Sequence, residues 1–399
     1  MPCLNEERFI GRAIESLVGS ESAGTGSEIA SAQERLAMTN MVPDRGQVPK
    51  KNEPRPDFLD WELIVADGGS SDRTREIVRS YAEGEKADEL GIRGRVRLLE
   101  NREKLQSYGM NMGIREAHGE IICRADAHCI YPPEYVRRCI ELLEMTKAAN
   151  AGGTRIPRPA GPGKVRAAIA LAVRHPVGVG DAKFQLGNYK GEAEGAYYGT
   201  FWKKLFDEIG LYDTATPTNE DGELNLRIRK AGKTIYLDSS IKVVYFPRES
   251  LSALARQYFS YGKGRCYTSL KHRKLTSWRQ AAPVVLAAGL VGSIAASLWQ
   301  PMFLTFPAAY IAVLTFVALV WPIRAIQCVN SEILLRFALN NRKEGIVPEP
   351  SQRIPVRLLM AAAWMIMHTC WGLGFWKYLI FRKGRFSGRT VPFPREPSP

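Results

Sequence analysis

Short apolar runs alternate with amphipathic stretches over the first 250 residues, and long uncharged runs fill the last third. Phe9, Ile10, Ala13, Ile14 and Leu17 recur at helical spacing, so residues 7–18 read as an amphipathic helix. Residues 63–66, 96–99 and 121–125 are short apolar runs with β-branched members, the pattern of buried strands. Helical periodicity follows each of them, over residues 72–81, 105–117 and 134–147. Gly109 and Gly113, four apart on the second of these helices, predict close backbone packing. Residues 151–156 read as a strand, 158–163 as a Pro/Gly loop and 202–209 as a short helix, while 178–199 is too glycine-rich to assign. A helix is expected over 219–231, stopped by Gly232, and two strands over 234–237 and 242–246. Strands alternating with helices predict an α/β domain with a mainly parallel sheet over residues 1–249. Residues 20–60 interrupt it: rich in Gly, Ser, Pro, Lys and Glu with weak periodicity, they read as a mobile inserted loop.

The uncharged run from 280 to 323 is long enough for two membrane spans of about 20 residues each, with the turn at 297–301. A third uncharged run covers 358–376. Six of the eight tryptophans lie between Trp278 and Trp376, as interface anchors do. Two crossings leave 324–357 on the cytoplasmic side. A third would export Lys377, Arg382, Lys383, Arg385 and Arg389, against the positive-inside rule, so the third run is expected to be re-entrant or interfacial. The transmembrane region thus spans 280–381 with two or three apolar helices, and the tail, 382–399, reads as disordered.

Charge sharpens this picture. The net charge of +14 calls for an anionic partner. Residues 250–279 carry seven Lys/Arg and no acid beside an apolar span, which fits anionic lipid headgroups better than DNA, and no nucleic-acid motif stands out. Residues 250–270 therefore read as a basic amphipathic helix on the membrane surface. Seven cysteines, an odd number without a Cys-x-x-Cys pair, argue for reduced thiols facing the cytoplasm and against a disulfide framework or zinc knuckle.

Three acid-bearing segments carry candidate chemistry. Asp67-Gly68-Gly69-Ser70-Ser71-Asp72 ends a strand and opens a helix, which puts Asp67 at the carboxyl edge of a sheet, where nucleotides bind. Glycines let backbone approach a ligand and the helix start favours phosphate. Asp67 would repel phosphate, so it suits a base or ribose; the alternative is an ordinary βα turn with a capped helix. Asp126 ends a second strand, and His128, two residues on, faces the same way in an extended turn. Asn219, Glu220 and Asp221 open a helix, where capping alone also accounts for them.

In order, Pro2-Cys3-Leu4-Asn5-Glu6-Glu7, the Asp67–Asp72 turn, Asp126-Ala127-His128 and the Asn219-Glu220-Asp221 helix with Arg227 resemble the family 2 glycosyltransferases. The likeness is greatest to the succinoglycan-type membrane-anchored glucosyltransferases of bacterial exopolysaccharide synthesis. It covers about residues 1–270, less the insertion, and extends to the membrane tail. The resemblance implies a GT-A, Rossmann-like mixed sheet flanked by helices, followed by a C-terminal α-helical membrane region. It implies inverting transfer of one sugar from a nucleotide diphosphate sugar, a UDP-linked hexose, to a lipid-linked saccharide at the cytoplasmic side of a bacterial inner membrane. Transfer to polyprenyl phosphate and a non-catalytic nucleotide-binding membrane subunit are the alternatives.

By the same resemblance Asp67 matches the acid that reads the uracil and Asp72 the second acid of that turn, near the ribose. Asn5, Glu6 and Gly68 belong to the donor-binding edge. Asp126-Ala127-His128 stands where the family carries the Asp-x-Asp that holds a divalent metal, Mn²⁺ or Mg²⁺, on the diphosphate; an imidazole in place of the second acid suits Mn²⁺ at least as well as Mg²⁺. His128 as a mere turn residue is the alternative. Asp221 matches the catalytic base, with Glu220 positioning it or the acceptor. Arg227 is either a salt-bridge partner or a phosphate ligand. Lys263 and Arg265 either neutralise the leaving diphosphate or anchor lipid. The Gln-x-x-Arg-Trp motif of processive synthases is absent near Arg256-Gln257, which argues for one sugar per event. In that family an apolar strand runs into the Pro-Cys-Leu-Asn-Glu-Glu segment; Met1 directly precedes Pro2 here, so the natural protein is expected to begin upstream with a short run of Val/Ile-type residues.

Overall fold

A computed structural model of the protein describes residues 1–22, 61–187, 189–216, 218–274, 280–320 and 353–381. The bulk of the expected inserted loop, the loop from 324 to 352, Trp278, Trp321 and the tail expected to be disordered lie outside the described residues.

The chain opens with β1 (Pro2–Cys3) and α1 (Ile10–Ser22), the helix running into the first residues of the expected loop. There follow β2 (Leu63–Asp67), α2 (Thr74–Ala82), α3 (Glu85–Glu89), β3 (Val96–Glu100) and α4 (Gln106–Glu116). Strands β1, β2 and β3 form one parallel sheet in that order. Its core is Ile10, Ile14, Val65, Val78 and Tyr81, which α1 and α2 press onto one face, as their periodicity predicts. Gly109 earns its place there, since a Cβ on it would lie 3.3 Å from those of Ala66 and Pro2; Gly113 has nothing within 4 Å, so the close packing expected of both glycines holds for one.

The second sheet begins with β4 (Ile121–Cys123) and β5 (Cys129–Ile130), and α5 (Tyr135–Thr146) leads to β6 (Asn150–Pro157). Next come α6 (Lys164–Ala172), the single turns α7 (Pro176–Val179) and α8 (Lys183–Leu186), β7 (Lys190–Glu192), β8 (Tyr197–Trp202) and α9 (Leu205–Ile209). Trp202 thus closes a strand rather than opening the short helix. After α10 (Glu220–Lys230), β9 (Ile235–Tyr245) completes the order β4-β8-β6-β9-β5, with β7 paired to β9. The sequence pattern reads β9 as two strands because a bulge splits it. Gly152 pairs with Leu237 and Thr154 with Lys242, so β6 passes the extra residues of β9 across Gly153. Any Cβ at Gly153 would collide with the Ile241 carbonyl oxygen.

The remaining chain is helical: α11 (Leu251–His272), α12 (Ala281–Ala296), a 3₁₀ turn (Pro301–Leu304), α13 (Thr305–Val320) and α14 (Arg353–Phe381). Two of these stretches, Pro301–Val320 and Arg353–Phe381, are long and apolar enough to cross a membrane, with mean hydropathies of 2.2 and 1.4. The third apolar run is one unbroken helix of 29 residues, not a broken re-entrant one.

Helix α11 does not lie alone on a surface. It is docked along α14 through glycines: a Cβ at Gly262 would overlap the Trp371 carbonyl, and one at Gly374 the Phe259 carbonyl. Gly372 meets the Pro283 carbonyl of α12 in the same way. The basic charge expected to face lipid is partly consumed inside. Lys271 Nζ lies 2.6 Å from Asp213 Oδ2 and 2.8 Å from Glu223 Oε1, and His272 Nε2 lies 2.9 Å from the same Glu223 oxygen. Arg227 Nη2 closes on Glu223 Oε2 at 2.9 Å and also donates to Leu211 O, Nε donates to the same carboxylate, and Nη1 donates to the carbonyls of Ile209 and Gly210. Of its two expected roles Arg227 therefore takes the salt bridge and leaves no donor for phosphate. Nor is Trp364 an interface anchor: it is fully buried, and its Nε1 donates to Ala172 O at 3.3 Å, which fastens α14 to α6.

Burial pushes the Glu223 carboxyl up, but bonds from His272, Arg227 and Lys271 outweigh it and hold it down to about 2. A depressed carboxyl contributes stability above its ordinary value of 4.5 and loses it as pH falls toward 2. Glu223→Gln is expected to be less stable by about 3 kcal/mol at neutral pH, with the difference narrowing across that window in unfolding titrations; a pH-independent difference would contradict this. Gly262→Ala is expected to destabilise by about 1–3 kcal/mol in thermal unfolding. Gly113→Ala, in open space, is expected to be neutral or slightly stabilising.

Candidate active site

The β1–α1 loop and the turn after β2 are laced together. Asp67, 1% exposed, accepts from Gly69 N at 3.0 Å and from Ser70 N at 3.1 Å through Oδ2, and from Ser70 Oγ through Oδ1. Gly69 takes a positive φ of 81° to present that N–H. Asn5 Oδ1 accepts from Ser71 N at 2.9 Å, and Glu6 N donates to Thr74 Oγ1 at 2.7 Å. Asp72 accepts from Thr74 N at 3.0 Å and from Glu7 N at 3.2 Å. Its slight burial pushes the carboxyl up, and these bonds more than reverse that, holding it below the ordinary carboxylate range. Gly68 sits 3.4 Å, measured from a would-be Cβ, from the Cys3 carbonyl, so the turn lies tight on the end of β1. Asp67 and Asp72 thus shape this edge with their own carboxylates.

One contact joins this edge to a larger cavity: Glu6 Oε1 lies 3.3 Å from His128 Nδ1. The cavity, about 1100 Å³, is lined by Asp126 and His128 beyond β4, by Glu220 and Asp221 at the start of α10, and by Arg124. Arg124 is 6% exposed. Its Nε bonds Asp126 Oδ1 at 3.2 Å and its Nη1 lies 3.4 Å from Glu220 Oε1. Burial raises the Glu220 carboxyl to about 7, against the pull of Arg124 and with the push of Asp221. Asn219, in the N-cap position with φ 63°, makes no capping bond; its Nδ2 donates to Tyr261 O at 3.0 Å. Capping by Asn219 is therefore not its role here. Asp221 Oδ1 accepts from the next backbone N–H, that of Gly222, at 2.7 Å, which leaves Oδ2 for other partners.

Helix α11 brings Arg265 over this turn, since a Cβ on Gly222 would lie 3.2 Å from both terminal guanidinium nitrogens of Arg265. Gly264 allows the approach by abutting the Thr218 carbonyl. Lys263 goes elsewhere: its Nζ sits 5.7 Å from the Phe259 ring centroid, sharing that ring with Lys377. The sequence reading did not single out Arg124, Arg155 or Tyr197, all on the cavity wall.

Asp126 and His128 can serve a divalent ion only as part of a larger set. Arg124 occupies Oδ1 of Asp126 and leaves Oδ2; Glu6 faces Nδ1 of His128 and leaves Nε2, the arrangement in which an acid orients a ligating imidazole. No group of three or more His, Cys, Asp or Glu suited to a metal occurs among the described residues. One carboxylate and one imidazole fit an ion that completes its shell with phosphate oxygens and water.

Residues 50–210 match the family described as glycosyl transferase family 2. The chain is 31% identical over 333 residues to the succinoglycan biosynthesis protein ExoA of Rhizobium meliloti (strain 1021), covering 82% of this chain and 88% of that one. It is 22% identical over 274 residues to the dolichyl N-acetyl-alpha-D-glucosaminyl phosphate 3-beta-D-2,3-diacetamido-2,3-dideoxy-beta-D-glucuronosyltransferase of Methanococcus voltae, covering 66% and 71%. Among solved structures, that of S. aureus TarS 1-349 aligns over 99% of this chain and 96% of its own at 11% identity and a TM-score of 0.41. Identity of this degree, over more than two thirds of both chains, places the chain in a family as the resemblance of its motifs implies: it belongs to the family 2 glycosyltransferases and has their mixed α/β GT-A fold.

Proposed function

We propose that the protein is an inverting transferase that moves one hexose from a UDP-linked donor to a lipid-linked saccharide at the cytoplasmic face of a bacterial inner membrane, in exopolysaccharide synthesis. One observation carries this reading. The cavity that holds Asp126, His128 and Asp221 continues without a break to Pro283 and Leu286 of α12 and to Met367 and Trp371 of α14. A polar reaction centre and apolar, membrane-type helices thus share one space, which suits an acceptor with a sugar at one end and a lipid at the other. The curated relatives agree in kind, one named for succinoglycan biosynthesis and the other for a dolichyl-linked sugar phosphate.

In this reading Asn5, Glu6, Asp67, Gly68 and Asp72 form the edge that receives the nucleoside. Asp126 and His128 would hold a divalent cation, which supplies positive charge to the diphosphate leaving group. Arg265, over the start of α10, adds charge on the same side. Asp221 accepts the proton of the acceptor hydroxyl as its oxygen bonds the anomeric carbon and the bond to the diphosphate breaks on the opposite face. Glu220, held by Arg124, keeps that turn in place and needs no contact with substrate. Lys263, turned to Phe259, has no part in donor binding.

Asp221→Asn is expected to lower turnover by about 10²- to 10⁴-fold while nucleotide binding is retained. Near wild-type turnover would move the base elsewhere. Asp126→Ala is expected to weaken nucleotide binding in Mn²⁺ but not in chelator, read by calorimetry; equal loss in both conditions would remove the metal from this site.

A further inference from the structure

Arg155 projects from β6 into the wall of the same cavity and is 9% exposed. Its guanidinium stands 4.9 Å from the ring centroid of Tyr197 and 4.7 Å from that of Tyr245. One terminal nitrogen donates to Gln185 Oε1 at 3.0 Å, and Nε has no hydrogen-bond partner among the described residues. The contrast with its neighbours is sharp. Buried Arg124 has Asp126 and Glu220, and buried Arg227 has Glu223, whereas no carboxylate among the described residues forms an ion pair with Arg155. A buried cation without an anion is unfavourable, and two aromatic faces offset only part of that.

Its place gives it meaning. Tyr245, which it stacks on, also meets the His128 ring at 5.3 Å, so Arg155 lies one ring away from the reaction centre. In the other direction Gln185 and Phe184 of α8 and the Pro176–Val179 turn lead along the cavity wall to Met367 and His368 on α14, where His368 Nε2 meets Val177 O at 2.7 Å. Arg155 therefore lines the same cavity as Asp221, Met367 and His368.

We infer that Arg155 binds a phosphate of the lipid-borne acceptor. The inference rests on the lipid-linked acceptor reading and adds to it an anion site: a phosphate ester supplies the missing counter-charge and accepts from N–H groups of the two terminal nitrogens together, the paired geometry that a guanidinium offers. The phosphate would anchor the lipid carrier while the sugar beyond it reaches Asp221.

The test uses the full chain in detergent, with farnesyl diphosphate as the lipid-phosphate probe, farnesol as its phosphate-free counterpart and UDP with Mn²⁺ as the donor probe. Arg155→Met keeps the bulk between the two rings and removes the charge; Arg155→Lys keeps charge and loses the fork. Arg155→Met is expected to weaken farnesyl diphosphate about tenfold or more, Arg155→Lys to weaken it less, and neither to change UDP or farnesol. Thermal unfolding of Arg155→Met is expected to match or exceed that of the wild type. Equal weakening of UDP would assign Arg155 to the donor, and unchanged farnesyl diphosphate binding with a lowered melting temperature would make it structural; either overturns the inference and leaves the acceptor reading standing. Wild type that binds farnesyl diphosphate no better than farnesol would overturn the inference, and labelled sugar absent from lipid extracts would separately overturn the acceptor reading.

Discussion

One buried guanidinium holds the proposed reaction centre together. Arg124 comes from just beyond β4, and the acids it contacts come from both sides of the site: Asp126 from its own loop and Glu220 from the start of α10. Burying carboxylates close to one another is unfavourable unless a cation lies between them. With Arg124 in place, the pair that suits a metal and the turn that carries the proposed base are held at a fixed separation. The high carboxyl of Glu220 reports the same crowding: burial dominates, and Arg124 counters only part of it.

The turn that carries Asp221 is braced from behind as well. Glu223, one turn further along α10, is buried among Arg227, Lys271 and His272, which fastens α10 to α11. Helix α11 in turn lies glycine to carbonyl along α14. The transferase domain and the apolar helices therefore form one packed unit, with α6 and α14 sharing the core of Ile169, Leu254, Met360 and Trp364. A lipid-borne acceptor held among those helices would be presented to Asp221 at a defined distance rather than tethered loosely to it.

Much of this was legible in the sequence. The strands that end in Asp67 and near Asp126 show up as short apolar runs that stop at an acid, and the helix that begins beside Asp221 as a start rich in polar first-turn residues with a stop at Gly232. The β9 strand did not, because Asp238-Ser239-Ser240 looks like a turn, and only the paired Gly153 shows that it is a bulge. Helix α11 looked like a surface helix because its lysines and arginines are local while their partners are distant: Glu223 and Asp213 neutralise Lys271 from other elements. The Gly262-Lys263-Gly264 and Gly372-Leu373-Gly374 pairs were the available signal for close helix packing, readable once set side by side. Arg124 and Arg155 carry no periodic signal at all. An arginine beside or inside a strand is unremarkable until its surroundings are known to be buried, and in one case acidic and in the other bare of acid.

The central claim is that this single cavity transfers a sugar from a nucleotide donor to a lipid-borne acceptor. The most direct measurement incubates membranes holding the protein with a panel of radiolabelled nucleotide sugars, including UDP-hexoses, and follows nucleotide release and label in the organic extract together. The account predicts that one UDP-hexose releases UDP and leaves its sugar in the lipid phase in equal amounts, with Mn²⁺ or Mg²⁺ required. Nucleotide release without lipid label, or no turnover of any donor above membranes lacking the protein, would contradict it.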